Sequence, residues 1–198
     1  MEKRKDIFGT KFGMWLFIFS EIMLFAGLFV LYAAYFAKYK ADFVESGKEL
    51  NIVFGTVNTV ILLISSFFVA ASVTAVRRKT DKTAIIFLGL ALLSGALFLT
   101  NKYFEWGHKF EAGIYPNSPV LVDGPPGKNI FFVLYFVITG LHGLHIIIGM
   151  LLLGISAILV WKKRVHAGNY AILDNAGLYW HLVDVIWIFI FPLFYLIL

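Results

Sequence analysis

The sequence predicts an all-α integral membrane bundle of five transmembrane helices, and three observations carry that prediction. Of its 198 residues, 60% are hydrophobic and 18% aromatic, where a soluble domain is roughly half apolar. Only 15% are charged, against about a quarter in soluble proteins. The charges are placed so that five stretches remain almost free of Lys, Arg, Asp and Glu, and about 20 such residues cover the ~30 Å hydrocarbon core of a bilayer. The whole chain, 1–198, reads as a single transmembrane domain without internal repeats.

The first span is placed at 12–37, where Glu21 is the sole charge. The charged segment Met1 to Lys11 precedes an apolar run too long for a signal-peptide core and without a small-residue cleavage site, so it is expected to be retained. Gly13, Ser20 and Gly27 recur at heptad spacing near Glu21. Such small residues let a neighbouring helix approach, and the carboxyl is expected to face protein. The second span, 52–76, has no charge and repeats Asn58, Ser65 and Ser72 at the same spacing. The third, 83–101, is the shortest. It leads into an external loop, 102–128, because Pro116, Pro119, Pro125 and Pro126 with Gly113, Gly124 and Gly127 cannot continue a helix. Glu105 and His108 in that loop read as solvated groups. The fourth span, 129–161, is the longest and must tilt or emerge at one end. The fifth, 175–198, carries only Asp184.

Orientation follows from the basic residues, which concentrate on the cytoplasmic side. One set of segments holds Lys3, Arg4, Lys5, Lys11, Arg77, Arg78, Lys79, Lys82, Lys162, Lys163 and Arg164. The other holds only Lys38, Lys40, Lys48, Lys102, Lys109 and Lys128. The N-terminus is expected inside and the C-terminus outside. The net charge of +5 is thereby a matter of topology, and no nucleic-acid partner is expected. The chain has no Cys, which excludes thiolate metal sites, iron–sulfur clusters and disulfides.

A charge inside hydrocarbon costs about 2.5–3.5 kcal/mol on insertion scales, so Glu21 and Asp184 each need a partner or a purpose. Glu21 admits a structural clamp or proton handling; as a buried carboxyl it needs donors, and His145 is the first candidate, His142 the second. His142 and His145 are three residues apart on nearly one face, with Tyr135 and Gly149 close to the same line. Their ~4.5 Å separation along the axis is too small for two stacked haems, and one haem shared with His181 would need the antiparallel spans to match in depth. His181 and Asp184 share a face by i, i+3 spacing, flanked by Trp180 and Trp187. The indoles read either as interface anchors or as packing elements. His166 and Asp174 lie near the inner ends of spans, where they could collect protons. No catalytic residue and no metal site is assigned, and a phosphate loop, a hydrolase triad and a metalloprotease motif are all absent from the sequence.

Four blocks, taken together, carry a family likeness: Gly13-Met14-Trp15-Leu16 through Ser20-Glu21 to Phe25-Ala26-Gly27; Asn58-Thr59 with Leu62-Leu63-Ile64-Ser65-Ser66; Gly140-Leu141-His142-Gly143-Leu144-His145; and Tyr179-Trp180-His181 through Asp184 to Trp187. A weaker block, Tyr103-Phe104-Glu105-Trp106 with Lys109 and Gly113, has Trp106 where the family usually has Tyr. The chain thus resembles subunit III of the haem-copper oxidases, especially the five-helix bacterial cytochrome c oxidase form, over about residues 12–198. No counterpart of the first two helices of seven-helix members is seen, so their lipid-holding cleft is expected to be incomplete.

The resemblance implies an accessory subunit of a proton-pumping terminal oxidase that reduces dioxygen to water in the bacterial inner (cytoplasmic) membrane. It implies a direct contact with subunit I, subunit II in the same complex, haems and copper in those partners and none in this chain, and bound phospholipid. Support of proton uptake and turnover lifetime is the expected role, and Glu21 matches the family's carbodiimide-reactive glutamate. The same subunit of a quinol oxidase is the alternative, and a membrane haem protein a further one. A proton-coupled transporter built on Glu21, Asp184 and His145 would call for broken helices or paired repeats, and the sequence has neither.

Overall fold

A computed structural model describes residues 7–197, and the side chains from Gly9 onward. Lys3, Arg4 and Lys5, which entered the orientation argument, lie outside the described residues. Among the described residues seven helices follow in order: α1 (Ile7–Lys38), α2 (Lys40–Lys48), α3 (Ile52–Arg77), α4 (Asp81–Glu111), α5 (Pro119–Val122), α6 (Pro126–Trp161) and α7 (Ala171–Tyr195). Five of them, α1, α3, α4, α6 and α7, are long and apolar enough to cross a membrane.

The third span does not stop at Asn101. Helix α4 continues to Glu111, so 102–111 is helix and not loop. The physical reason is that 102–111 holds no proline and its single glycine, Gly107, is accommodated within the helix, whereas Gly113, with φ of +72°, ends it in a Schellman turn. There the Ile114 amide donates to the Lys109 carbonyl at 2.8 Å, and the Gly113 amide to Phe110 at 3.0 Å. Lys79 and Lys163 occupy the same left-handed position after α3 and α6, with φ of 61° and 55°. At 1.5 Å per residue, α4 and α6 are about 46 and 54 Å long, so both project beyond ~30 Å of hydrocarbon.

The connection between the first two spans holds α2, which composition alone left as a short link. It buries Phe43 among Tyr32, Phe36 and Phe131. Asp42 accepts from the Gly127 amide at 3.1 Å, and Lys109 Nζ reaches the Glu49 carbonyl at 2.7 Å. These contacts pin α2 onto the start of α6 and the end of α4.

Contacts of α3 with α4, α4 with α6, α6 with α7 and α7 with α3 close a four-helix ring. Asn58, Ser65 and Ser72 are fully buried along α3, as close packing against α4 requires. Helix α1 stands outside the ring and leans on α6, α7 and α2. Its small-residue line does not act as a seam: Gly13, Ser20 and Gly27 are exposed, and a Cβ on either glycine would meet nothing within 4 Å. The packed line is instead Ile18, Phe25 and Tyr32, with Met14 and Leu28 partly buried. Lipid tails are as apolar as leucine, so an apolar helix does not announce which face meets protein.

Candidate functional site

The polar groups that the apolar spans carry inward form several separate clusters. At the α1–α6 contact, Glu21 Oε2 lies 2.8 Å from His145 Nε2. His145 Nδ1 is 2.7 Å from the Leu141 carbonyl, which can only accept, so Nδ1 carries its hydrogen. One proton therefore lies between Nε2 and Oε2. The Phe25 ring meets the imidazole edge-on at 5.2 Å, and Tyr179 stacks at 6.4 Å. Glu21 keeps 15% of its side-chain surface, so the pair is sheltered without being sealed.

His142 does not join this pair. It sits fully buried between Phe98 and Trp187, with ring centroids 5.5 and 5.2 Å away. Neither ring nitrogen has a hydrogen-bond partner among the described residues. His181 turns toward α3, where its Nδ1 is 2.6 Å from Ser66 Oγ. The His181–Asp184 pair allowed by spacing is not formed: Asp184 lies buried alongside Ser66, short of hydrogen-bond geometry, and neither carboxyl oxygen has a partner among the described residues. The three histidines thus address α1, the ring interior and α3 separately. Among the described residues no cluster of three or more His, Asp or Glu has a metal-holding arrangement.

Trp180 and Trp187 are fully buried, which selects packing over interface anchoring. Trp180 Nε1 donates to Ser65 Oγ at 3.1 Å and Trp187 Nε1 to Thr59 Oγ1 at 3.0 Å. Gly95 and Gly149 make room for the Trp180 ring; a Cβ there would come within 2.9 and 2.8 Å of it. At the other end, His166 is exposed and accepts from the Gly168 amide at 3.2 Å. Asp174 is held 3.4 Å from Arg77. His166 lies on the connection between α6 and α7 and Asp174 in the first turn of α7, and they belong to different contacts.

The largest departure from the sequence reading is at Glu105. It is 3% exposed and Lys102 7%, so neither is a solvated loop group. Lys102 Nζ donates to Glu105 Oε2 at 3.0 Å, to Tyr135 Oη at 3.0 Å and to Tyr195 Oη at 2.9 Å. Both tyrosines donate in turn to Glu105 Oε1, at 2.8 and 2.6 Å. All three ammonium hydrogens are used, and each tyrosine accepts once and donates once. The circuit is closed and charge-balanced. It fastens α4, α6 and α7 together. Two signals for it were present in the sequence: the i, i+3 spacing of Lys102 and Glu105, and Tyr135 one heptad before His142.

Chemically, these arrangements hold helices together and share one proton at Glu21–His145. Comparison with known proteins adds the biological frame. The family model described as cytochrome c oxidase subunit III matches residues 4–197. Cytochrome c oxidase subunit 3 of Synechocystis is 32% identical over 191 residues, covering 94% of this chain and 75% of the relative. Cytochrome bo(3) ubiquinol oxidase subunit 3 of Pseudomonas aeruginosa is 29% identical, covering 94% and 84%. The probable quinol oxidase subunit 3 of Staphylococcus saprophyticus is also 29% identical, covering 95% and 89%.

Proposed function

The chain belongs to the cytochrome c oxidase subunit III family, and from that premise we propose that it is the accessory subunit of a cytochrome c oxidase, without a redox centre of its own. The membership makes it subunit III of a haem-copper oxidase complex and a multi-pass membrane protein. The finer reading is that it seats directly on subunit I, with subunit II in the same complex. Haems and copper reside in those partners, and phospholipid accompanies this chain. The inside placement of the amino terminus rests on the basic residues of the turns, and the bacterial cytoplasmic membrane on the relatives' sources.

The observation that supports the non-redox reading is that the three intramembrane histidines face different neighbours. His145 uses both ring nitrogens, on Leu141 and Glu21. His181 spends Nδ1 on Ser66, and His142 is enclosed by aromatic rings. None presents a free nitrogen beside another, as axial ligation of one haem by two histidines would require. The quinol oxidase reading is kept because two of the relatives carry that name.

Isolation of the tagged chain in mild detergent tests both parts. Subunits I and II should co-purify, and the complex should reduce dioxygen with ferrocytochrome c as donor. Turnover with quinol alone would select the second reading. Haem extraction and metal analysis of the separated chain should give only traces; a stoichiometric haem or copper would overturn the non-redox assignment. Complex lacking the chain should lose activity faster during turnover and take up protons more slowly at higher pH. Equal rates and lifetimes at every pH would leave assembly as the sole role.

A further inference from the structure

The polar groups of four helices gather at one level of the bundle. Asn58 of α3 and Asn101 of α4 are 3.0 Å apart, and Lys102 of α4 bonds Tyr135 of α6 and Tyr195 of α7. From Lys82, in the first turn of α4, to Lys102 is about 30 Å of helix, the thickness of the hydrocarbon core. Helix α4 runs on to Glu111, which puts Phe110 about 12 Å past that level. The headgroup layer takes up only ~5–7 Å on each side, and the ~20° tilt usual for a span shortens the rise by less than about 3 Å. Apolar side chains exposed at that distance meet water, because acyl chains do not reach them. Phe110, Tyr115 and Val120 are such side chains, 49%, 39% and 56% exposed. We infer that this end of the bundle docks an extramembrane segment of a neighbouring oxidase subunit, one that seats an apolar anchor on Phe110, Tyr115 and Val120 and sets basic side chains against Glu111 and Asp123.

Three observations support this occupant. The patch is continuous and rigidly held: the Phe110 and Tyr115 ring centroids are 6.2 Å apart, and Val120 Cγ2 lies 3.4 Å from where a Cβ on Gly113 would stand. Helix α5 is anchored by the fully buried Ser118 and Leu121, with Ser118 Oγ accepting from the Leu121 amide at 3.4 Å, so Val120 is turned outward by a fixed element. Continuous exposed apolar surface of this kind marks a protein interface. The rim supplies the second observation. Glu111 and Asp123 are exposed and have no ion pair among the described residues, whereas Lys109 and Lys128 of the same segments are spent on Glu49, at 2.7 and 2.5 Å. An acidic rim selects Lys or Arg on the partner, and a second copy of this chain would set like charges against each other. The third observation is a contrast in depth. Tyr103 and Phe104, 76% and 54% exposed, lie at the edge of the hydrocarbon, where aromatic side chains form the interfacial belt. Lipid accounts for that pair and leaves Phe110 uncovered.

The docking surface rests on the reading of the chain as one subunit of an assembled oxidase, and the test separates the two. A wild-type chain that fails to co-purify with other oxidase subunits refutes that reading; the surface alone is at stake once it does co-purify. In the purified complex, p-benzoylphenylalanine placed at Val120 and irradiated should form an adduct with a Lys- or Arg-bearing extramembrane segment of a partner subunit, identified by mass spectrometry of the joined peptides. Val120→Asp should raise the concentration at which the chain dissociates on dilution about tenfold, the loss of one anchor residue, and Val120→Ile should behave as wild type. Glu111→Lys/Asp123→Lys should weaken association at low salt and much less at high salt. An adduct only with lipid or with a second copy, or no adduct in the intact complex, would overturn the proposal. Unchanged dissociation of Glu111→Lys/Asp123→Lys at low salt would overturn the basic character of the partner. The cross-link decides the matter even where Val120→Asp does not assemble.

Discussion

Replacing Lys102 with Met would remove the ammonium hydrogen-bonded to a carboxylate that is 3% exposed. Glu105 would keep its two tyrosine donors, at 2.8 and 2.6 Å, but would lose its directly bonded counter-charge. Removing one partner of a buried ion pair costs about 3–5 kcal/mol, because the other charge remains desolvated. Glu105→Gln leaves the ammonium in the same position and should cost a similar amount. The double variant Lys102→Met/Glu105→Gln loses both charges while the Gln carbonyl still accepts from the tyrosines. It should be less destabilised than either single variant, with a coupling of about 3 kcal/mol. The pair is not thereby a large net stabiliser; the asymmetry between breaking it and replacing it is the expected signature. Unfolding the purified chain from mild detergent with SDS, followed by tryptophan fluorescence, reads this out because the Trp187 ring lies 5.5 Å from Lys102 Nζ. Single variants costing under about 1 kcal/mol, or a double variant equal to their sum, would refute the closed circuit and imply a hydrated site.

Other expectations use the same assay. Glu21→Leu should cost roughly 1–3 kcal/mol by leaving His145 Nε2 without its partner, and Glu21→Leu/His145→Phe should recover part of that loss. Gly149→Leu should cost at least about 1–3 kcal/mol by overpacking against Trp180, whereas Gly27→Leu should stay within about 0.5 kcal/mol; equal effects would contradict the placement of α1. Lys163→Gly should stabilise by about 1 kcal/mol, since it relieves a side chain held at positive φ. No change in the SDS midpoint for that variant would mean that the turn carries no strain.

The number and order of spans were legible because charge exclusion from hydrocarbon is severe: α3 and α6 begin and end within about three residues of the limits set by charge alone. The same rule misplaced the end of α4. It treated Lys102 and Glu105 as markers of water, yet they are each other's partners inside the bundle. A charge count along a sequence has no access to pairing across helices, and Tyr195 enters from a position 90 residues away. The Glu21–His145 contact was legible for a related reason: an isolated intramembrane carboxyl needs a donor, and few donors exist in these spans. Asp184 shows the limit of that logic, because spacing offered His181 while the fold turned His181 to Ser66.

Helix α1 shows why facing was harder to read than spanning. Met14, Ile18, Glu21, Phe25, Leu28 and Tyr32 alternate by four and three residues, the spacing of a coiled-coil seam. Glu21 occupies one of those seam positions, so its carboxyl replaces an apolar knob. Gly13, Ser20 and Gly27 lie one residue earlier, about 100° around the helix, and that rotation is enough to turn them outward. Large residues define the contact because α1 meets the groove of α6 and α7 from outside the ring and does not need close backbone approach. In the ring itself, small residues at Gly95 and Gly149 accept the Trp180 indole. Along α1 two polar contacts fix the register: Glu21 to His145 at 2.8 Å, and Tyr32 Oη to the Leu193 carbonyl at 2.5 Å near the end of α7. The second satisfies one of the carbonyls that a helix end leaves unpaired. They are eleven residues apart, about 16 Å along the axis, so a helix whose packing is otherwise interchangeable with lipid is located by two hydrogen bonds that lipid tails cannot supply.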